Sequence, residues 1–320
     1  MNQAGQHPIR VGTASWTDKS LLACGRFYPA QCKSAEARLR YYASQFPLVE
    51  LDSSYYAMPA PSTSQLWAER TPPGFVMNVK AFRLFTGHQT SPTVLHKDIR
   101  DALPAALAAK ANLYYKDMPA ELLDELWRRF REALLPLRAA GKLGLVHFQF
   151  SPWTLHNTAG LAQLRECVAR MGGEHTLSVE FRHRSWFAEA AQIEPTLALL
   201  RELGVVHTIV DEPQGSFANS IPAVWAITHP RYLLLRLHGR NTATWNIKGS
   251  TAASERFNYD YGADELRELA VQLRALIEHV AEAHVIFNNN MEDQGQRNAR
   301  SLMDILQAEG LTPLRSAPAC

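Results

Sequence analysis

Cysteine is scarce in this chain: Cys24, Cys32, Cys167 and Cys320 are the four in 320 residues, and none forms a C-x-x-C pair. So few and so scattered thiols exclude a disulfide framework, and the expected setting is the reducing cytoplasm. No apolar run reaches the ~20 residues of a membrane span, and the opening MNQAGQHPIR lacks a signal peptide's apolar core, so no membrane partner is expected. Charge of one sign is lacking too. Lys plus Arg total 33 against 31 Asp plus Glu, a formal net charge of +2, which excludes a strongly basic nucleic-acid coat but not a locally basic cleft. There is no G-x-S-x-G elbow, no H-E-x-x-H helix and no spaced His or Cys ligand set. The expectation is therefore chemistry without metal or cofactor. No linker, low-complexity stretch or internal repeat interrupts the chain, so residues 1–320 read as a single domain.

What is present is alternation. Short apolar or β-branched runs are expected to be strands at Ile9–Ser15, Leu48–Ser54, Phe75–Ala81, Gly144–Phe150, Thr176–Arg182, Val205–Asp211, Tyr232–His238 and Val285–Asn289. Between them lie segments of helical periodicity. Ser34 precedes one such segment, Ser62-Thr63-Ser64-Gln65 has the form of a capping box, and Leu123, Leu126, Trp127, Phe130 and Leu134 make a stripe that Pro136 should disturb. Gly204 and Gly310 are placed as helix ends. A doubly wound sheet would want a Gly-rich turn after its first strand, and here that turn reads Trp16-Thr17-Asp18-Lys19. The expected fold is α/β, a (β/α)₈ TIM-barrel-like domain. Phe82–Lys116, directly after the third strand, is long for a connection and predicts an insertion, either a lid or added helices beside a site.

Polar residues crowd the same end of at least seven strands. Glu50 and Asp52 end the second, Lys80 the third, Gln149 the fourth, Glu180, Arg182 and His183 the fifth. Asp211 ends the sixth, Arg236, His238 and Arg240 the seventh, Asn288 and Asn289 the eighth. Period-two alternation puts Glu50 with Asp52, Glu180 with Arg182, and Arg236 with His238 and Arg240 on common faces. Buried unpaired, each charge would cost several kcal/mol, so acids and bases must meet one another or a ligand. A structural ion-pair plug is the plain reading. Eight charges in one mouth are poor stability engineering, which favours a site. Trp16, Trp153, Trp186 and Trp245 lie near strand ends and, with Tyr55 and Tyr56, could wall it, though each Trp taken singly reads as packing.

Several strings resemble one family. Val11-Gly12-Thr13-Ala14-Ser15-Trp16, Phe27-Tyr28-Pro29 and Val49-Glu50-Leu51-Asp52-Ser53-Ser54-Tyr55-Tyr56 are similar to the opening of the domain-of-unknown-function 72 family, also called YecE-like. The likeness continues through Trp67–Phe75 and Val79-Lys80-Ala81. It returns at Phe148-Gln149-Phe150, Val179–His183, Arg236–Arg240 and Phe287-Asn288-Asn289. It covers nearly the whole chain and implies a TIM-barrel-like fold with no settled activity. Two departures stand out. Ser151-Pro152 shifts by one residue a Pro that the family places soon after the fourth-strand Gln. Thr86-Gly87-His88 also separates a Thr-His pair, so no role is carried over to His88.

The leading expectation is an enzyme acting on a phosphorylated or otherwise anionic small molecule. Lys80, Arg182, Arg236 and Arg240 would hold the anion. Lys80, Glu180, Asp211 and His238 are the catalytic candidates, with Glu180 or Asp211 as base and His238 as acid or orienting group. Trp16, Glu50, Asp52, Tyr55, Gln149, Arg182, His183, Arg236, Arg240, Asn288 and Asn289 are the binding candidates. The alternative is a nucleic-acid-binding protein using the same basic, aromatic-flanked mouth. No oligomeric state is assigned.

Overall fold

The computed structural model describes residues 7–187, 189–215, 217–246 and 253–316, so Cys320 lies outside the described residues. Eight parallel strands close into a barrel in chain order: β1 (Ile9–Ala14), β2 (Leu48–Leu51), β3 (Val76–Lys80), β4 (Leu143–Gln149), β5 (Leu177–Glu180), β6 (Val206–Asp211), β7 (Tyr232–Leu237) and β8 (Glu282–Phe287). Closure comes from β1 pairing with β8, from Ile9 opposite Ala283 to Thr13 opposite Phe287. The architecture is the expected α/β, TIM-barrel-like one. Strand ends shift by up to three residues; β2 stops at Leu51, for example, because Asp52 opens the short helix Ser53–Tyr56.

Two sets of apolar side chains hold this together. The larger lies between sheet and helices. The smaller, Ala14, Leu48, Leu145, Val206, Tyr232, Leu234 and Ile286, packs inside the barrel. Stepping two residues along from Leu48, Leu145 and Leu234 keeps the same face and reaches Glu50, His147 and Arg236. The pleat thus converts an apolar floor into a polar mouth within one layer.

The helices follow their sequence signals with two exceptions. Ser34 Oγ accepts from the Ala37 N–H at 3.0 Å, and Gly204 and Gly310 take φ of +65° and +77° past helix ends. The expected capping box does not form. Pro61 occupies the first turn of the helix Pro61–Glu69, which leaves Ser62 inside it, and Gln65 reaches forward to Glu69. Nor does Pro136 break its helix, which runs Ala120–Ala139; near the C-terminal end it removes a single N–H donor. The segment after β3 holds two short helices, Lys97–Asp101 and Ala105–Ala108. It is pinned to the barrel by buried Phe82, Leu84 and Phe85, the last stacked on Trp127 at 3.6 Å between ring centres. Among the described residues no helix is long and apolar enough to cross a membrane.

Candidate functional site

A chain of charges crosses the barrel interior. Arg236 on β7 grips Glu50 on β2 with Nε at 3.1 Å and Nη2 at 2.6 Å, and its Nη1 pairs with Glu180 on β5. Arg182 continues the chain, with Nε 2.5 Å from Glu180 Oε1 and Nη1 3.2 Å from Glu212 Oε2. Glu50, Glu180 and Arg236 are fully shielded from solvent. Burial would raise the Glu180 carboxyl, but the Arg182 and Arg236 guanidiniums beside it hold it well below the carboxylate range. His147 Nε2 and His238 Nε2 each lie 3.4 Å from this carboxylate. Burial first, and then the neighbouring arginine, pushes both imidazoles below their ordinary range, so both are neutral. Asn288 Nδ2 donates to His238 Nδ1 at 2.9 Å, which leaves the His238 proton on Nε2, facing Glu180. Glu180 is therefore saturated by cations, the reverse of a free general base. Glu212 differs: burial pushes it up to about 7 against the pull of Arg182, while its Oε1 accepts from the Ile221 N–H at 2.8 Å.

Above this layer opens a cavity of about 590 Å³ lined by Asp52, Tyr55, Lys80, Arg83, His88, Gln149, Trp153, Arg182, Trp245, Arg256 and Asn288, among others. Lys80 Nζ donates to Asp52 Oδ1 at 2.8 Å and sits 4.5 Å from the Tyr55 ring centre. Arg83 lies over the same ring at 5.2 Å. Across the mouth, Arg256 and Arg182 lie over Trp245 at 4.1 and 5.6 Å. Arg83 and Arg256 each have a buried Nε without a hydrogen-bond partner, and among the described residues neither pairs with a carboxylate. Burial, and then Arg182, draws the Arg256 guanidinium down to about 10. His88 is oriented from behind. Thr86 Oγ1 donates to the Arg83 carbonyl at 3.2 Å and so accepts from His88 Nδ1 at 3.0 Å, which leaves the Nε2 lone pair for the cavity. Burial and the charges of Lys80, Arg83 and Arg182 lower this imidazole to about 3.

Of the residues expected from sequence, Asp52, Tyr55, Lys80, Gln149, Arg182 and Asn288 line the cavity, and Glu50, Glu180, Arg236 and His238 are buried among the charges beneath it. Five lie elsewhere. Asp211 points outward on β6, accepting from Arg240 Nε at 3.0 Å and from Tyr261 OH at 2.7 Å. Arg240 is held there because Gly239, at φ +84°, ends the extended alternation that would have kept it beside His238. His183 caps the turn Arg184–Trp186, accepting from the Ser185 N–H. Asn289 binds the Tyr259 carbonyl and Asn298 Oδ1 at 2.8 and 2.7 Å. Trp16 packs edge-on against Trp67 in the core. Trp186 stacks on Phe181 at 3.8 Å, as a packing residue does. Sequence reasoning set His88 aside as a departure from the family pattern and missed Arg83, Glu212 and Arg256 altogether. Only Glu212 carried a usable signal, being two steps of two beyond Thr208 on the interior face.

Residues 10–319 match the model of the family described as "Protein of unknown function DUF72". The UPF0759 protein YunF of Bacillus subtilis is 31% identical over 309 residues, which cover 95% of this chain and 98% of that one. A crystal structure of a DUF72 family protein from Enterococcus faecalis superposes with a TM-score of 0.73 at 25% identity, covering 93% of this chain and 95% of that one. One from Thermotoga maritima gives 0.71 at 26%, covering 94% and 100%. None of these descriptions assigns an activity.

Proposed function

This chain belongs to the DUF72 family, proteins of unknown function, and from the chemistry of its cavity we propose an enzyme that binds a small phosphorylated or otherwise anionic molecule at the barrel mouth. One observation carries the reading: Arg83 and Arg256 face a single cavity with no carboxylate partner among the described residues, while every acid beneath them is already engaged. A half-buried guanidinium without an anion is costly, and a bound phosphate or carboxylate removes that cost with charge-assisted hydrogen bonds. Lys80 and Arg182 assist. The Tyr55, Trp153 and Trp245 rings offer flat apolar walls for the rest of the molecule. His88, neutral and with Nε2 free, is the best-placed proton acceptor, in place of Asp211 and Glu180. An arriving anion neutralises the cations that depress it, so binding itself makes it a better base. Cytoplasmic residence belongs to the same proposal, because Cys24, Cys32 and Cys167 are free thiols.

The test is calorimetric titration with fructose 6-phosphate and with a single-stranded oligonucleotide, each at 50 and 200 mM salt. A protein holding ~6 backbone phosphates loses ~10³-fold affinity across that range. A pocket for one small anion loses far less, and Lys80→Ala and Arg182→Ala should each weaken it. Tight oligonucleotide binding with the steep salt dependence would replace this reading with the nucleic-acid one. Binding of neither ligand, with variants that merely unfold more easily, would make the charges a structural plug.

A further inference from the structure

The cations of the mouth fall into two groups of the same construction. One belongs to the β2–β3 side: Lys80 and Arg83 over Tyr55. The other is built around Trp245, from the connection between β7 and β8, with Arg256 from the same connection and Arg182 from the end of β5. In a closed barrel of eight strands β3 and β7 stand four strands apart, on opposite sides of the axis. Each group is one aromatic ring, one cation already countered by carboxylate, and one that is not. Lys80 is countered by Asp52 at 2.8 Å, and Arg182 by Glu180 and Glu212 at 2.5 and 3.2 Å. Among the described residues, Arg83 and Arg256 are the members without a carboxylate in ion-pair contact. Two like charges held beside one ring repel, and each group lacks one anion. The two groups are built from different elements, and each presents such a cation to the same cavity.

We propose that the mouth takes a small molecule carrying two separate phosphoryl groups, one bound by Arg83 with Lys80 and the other by Arg256 with Arg182. This rests on the small-anion reading above and goes beyond it in naming a bisphosphate class. Between these groups the cavity lining includes uncharged polar side chains. Gln149 Oε1 lies 3.4 Å from Arg182 Nη2 and 3.3 Å from Arg236 Nη1, and Asn288 lines the same cavity, which suits the hydroxyls of a linking carbon skeleton. A volume of about 590 Å³ accommodates a molecule of that size.

Calorimetry with fructose 1,6-bisphosphate and fructose 6-phosphate, on the wild type, Arg83→Ala, Arg256→Ala and the double variant, tests the proposal. The bisphosphate should bind at least about tenfold tighter than the monophosphate, because the second group adds contacts without a second association. Each single variant should bring the bisphosphate down to the monophosphate's affinity, while the monophosphate, with one site of two remaining, loses only about twofold. The double variant should bind neither. Neither arginine pairs with a described carboxylate, so their loss strands no buried acid. Far-UV circular dichroism and melting of the Ala variants, and of Arg83→Gln and Arg256→Gln, separate a lost contact from a lost fold. Equal affinity for the two sugars, or equal losses of both in either single variant, would overturn the two-group inference and leave the small-anion reading standing. Binding of neither sugar by the folded wild type would remove both.

Discussion

His88 shows how much a single side chain owes to the groups around it. Its tautomer is set by Thr86, whose hydroxyl proton is committed to the Arg83 carbonyl. Its neutrality is set by burial and by Lys80, Arg83 and Arg182. Nitrogen-15 NMR should therefore find a neutral imidazole at pH 6, with the proton on Nδ1. Saturating phosphate should raise its titration midpoint by screening those three cations. A charged His88 at pH 6 in the absence of anion, or a midpoint indifferent to phosphate, would take away the proton-acceptor role. Glu180 illustrates the opposite outcome. Its position at a strand end suggested a base, yet two guanidiniums spend its charge on holding the barrel mouth together.

At the level of the strand, one residue of register divides structure from site. On β6 the interior face carries Val206 and Thr208 and continues to Glu212, whereas Asp211 belongs to the outer face with Arg240 and Tyr261. Asp211→Asn should lower stability by about 1–3 kcal/mol in urea unfolding, through its charged hydrogen bonds, and leave affinity for fructose 6-phosphate within about twofold. Glu212→Gln at pH 8 removes a carboxylate that counters Arg182 and should tighten the same ligand by about fivefold. If Asp211→Asn changes affinity and Glu212→Gln does not, the two faces are assigned the wrong way round.

At the scale of the whole molecule, four buried histidines held neutral shape the pH response. Burial lowers His207 to about 4 and His88 to about 3, and depresses His147 and His238 as well. Their unfolded counterparts titrate near 6.5. The stability these groups contribute is complete above that value and is withdrawn as pH falls through it toward the folded pKa; for His207 alone this is on the order of 3 kcal/mol by pH 4. Glu212 acts in the other direction. Its raised pKa contributes stability that is present below the ordinary carboxyl range and is lost as pH rises through about 7. With four imidazoles against one carboxyl, the melting temperature should fall steadily from pH 6.5 to pH 4. His207→Gln, which keeps a donor for the Val224 carbonyl, should flatten that acid limb. A wild-type profile level across the window would contradict the assignment of neutral histidines.

Strand order, the end of the barrel at which polar side chains gather, and the membership of Lys80, Gln149, Arg182 and Asn288 in the mouth were all legible in the sequence. Each is a local consequence of the pleat: alternation and the position of a residue along its strand need no knowledge of neighbours. Pairing and loop direction were not legible. Arg236 meets Glu50 across 186 residues only because the barrel closes, and Arg240 leaves the mouth because of one left-handed glycine. Arg83, His88 and Arg256 come from connections, where no repeating geometry announces which way a side chain faces. Which cations are left without a counter-charge is a property of the closed molecule, since it depends on which acids every other cation has already taken.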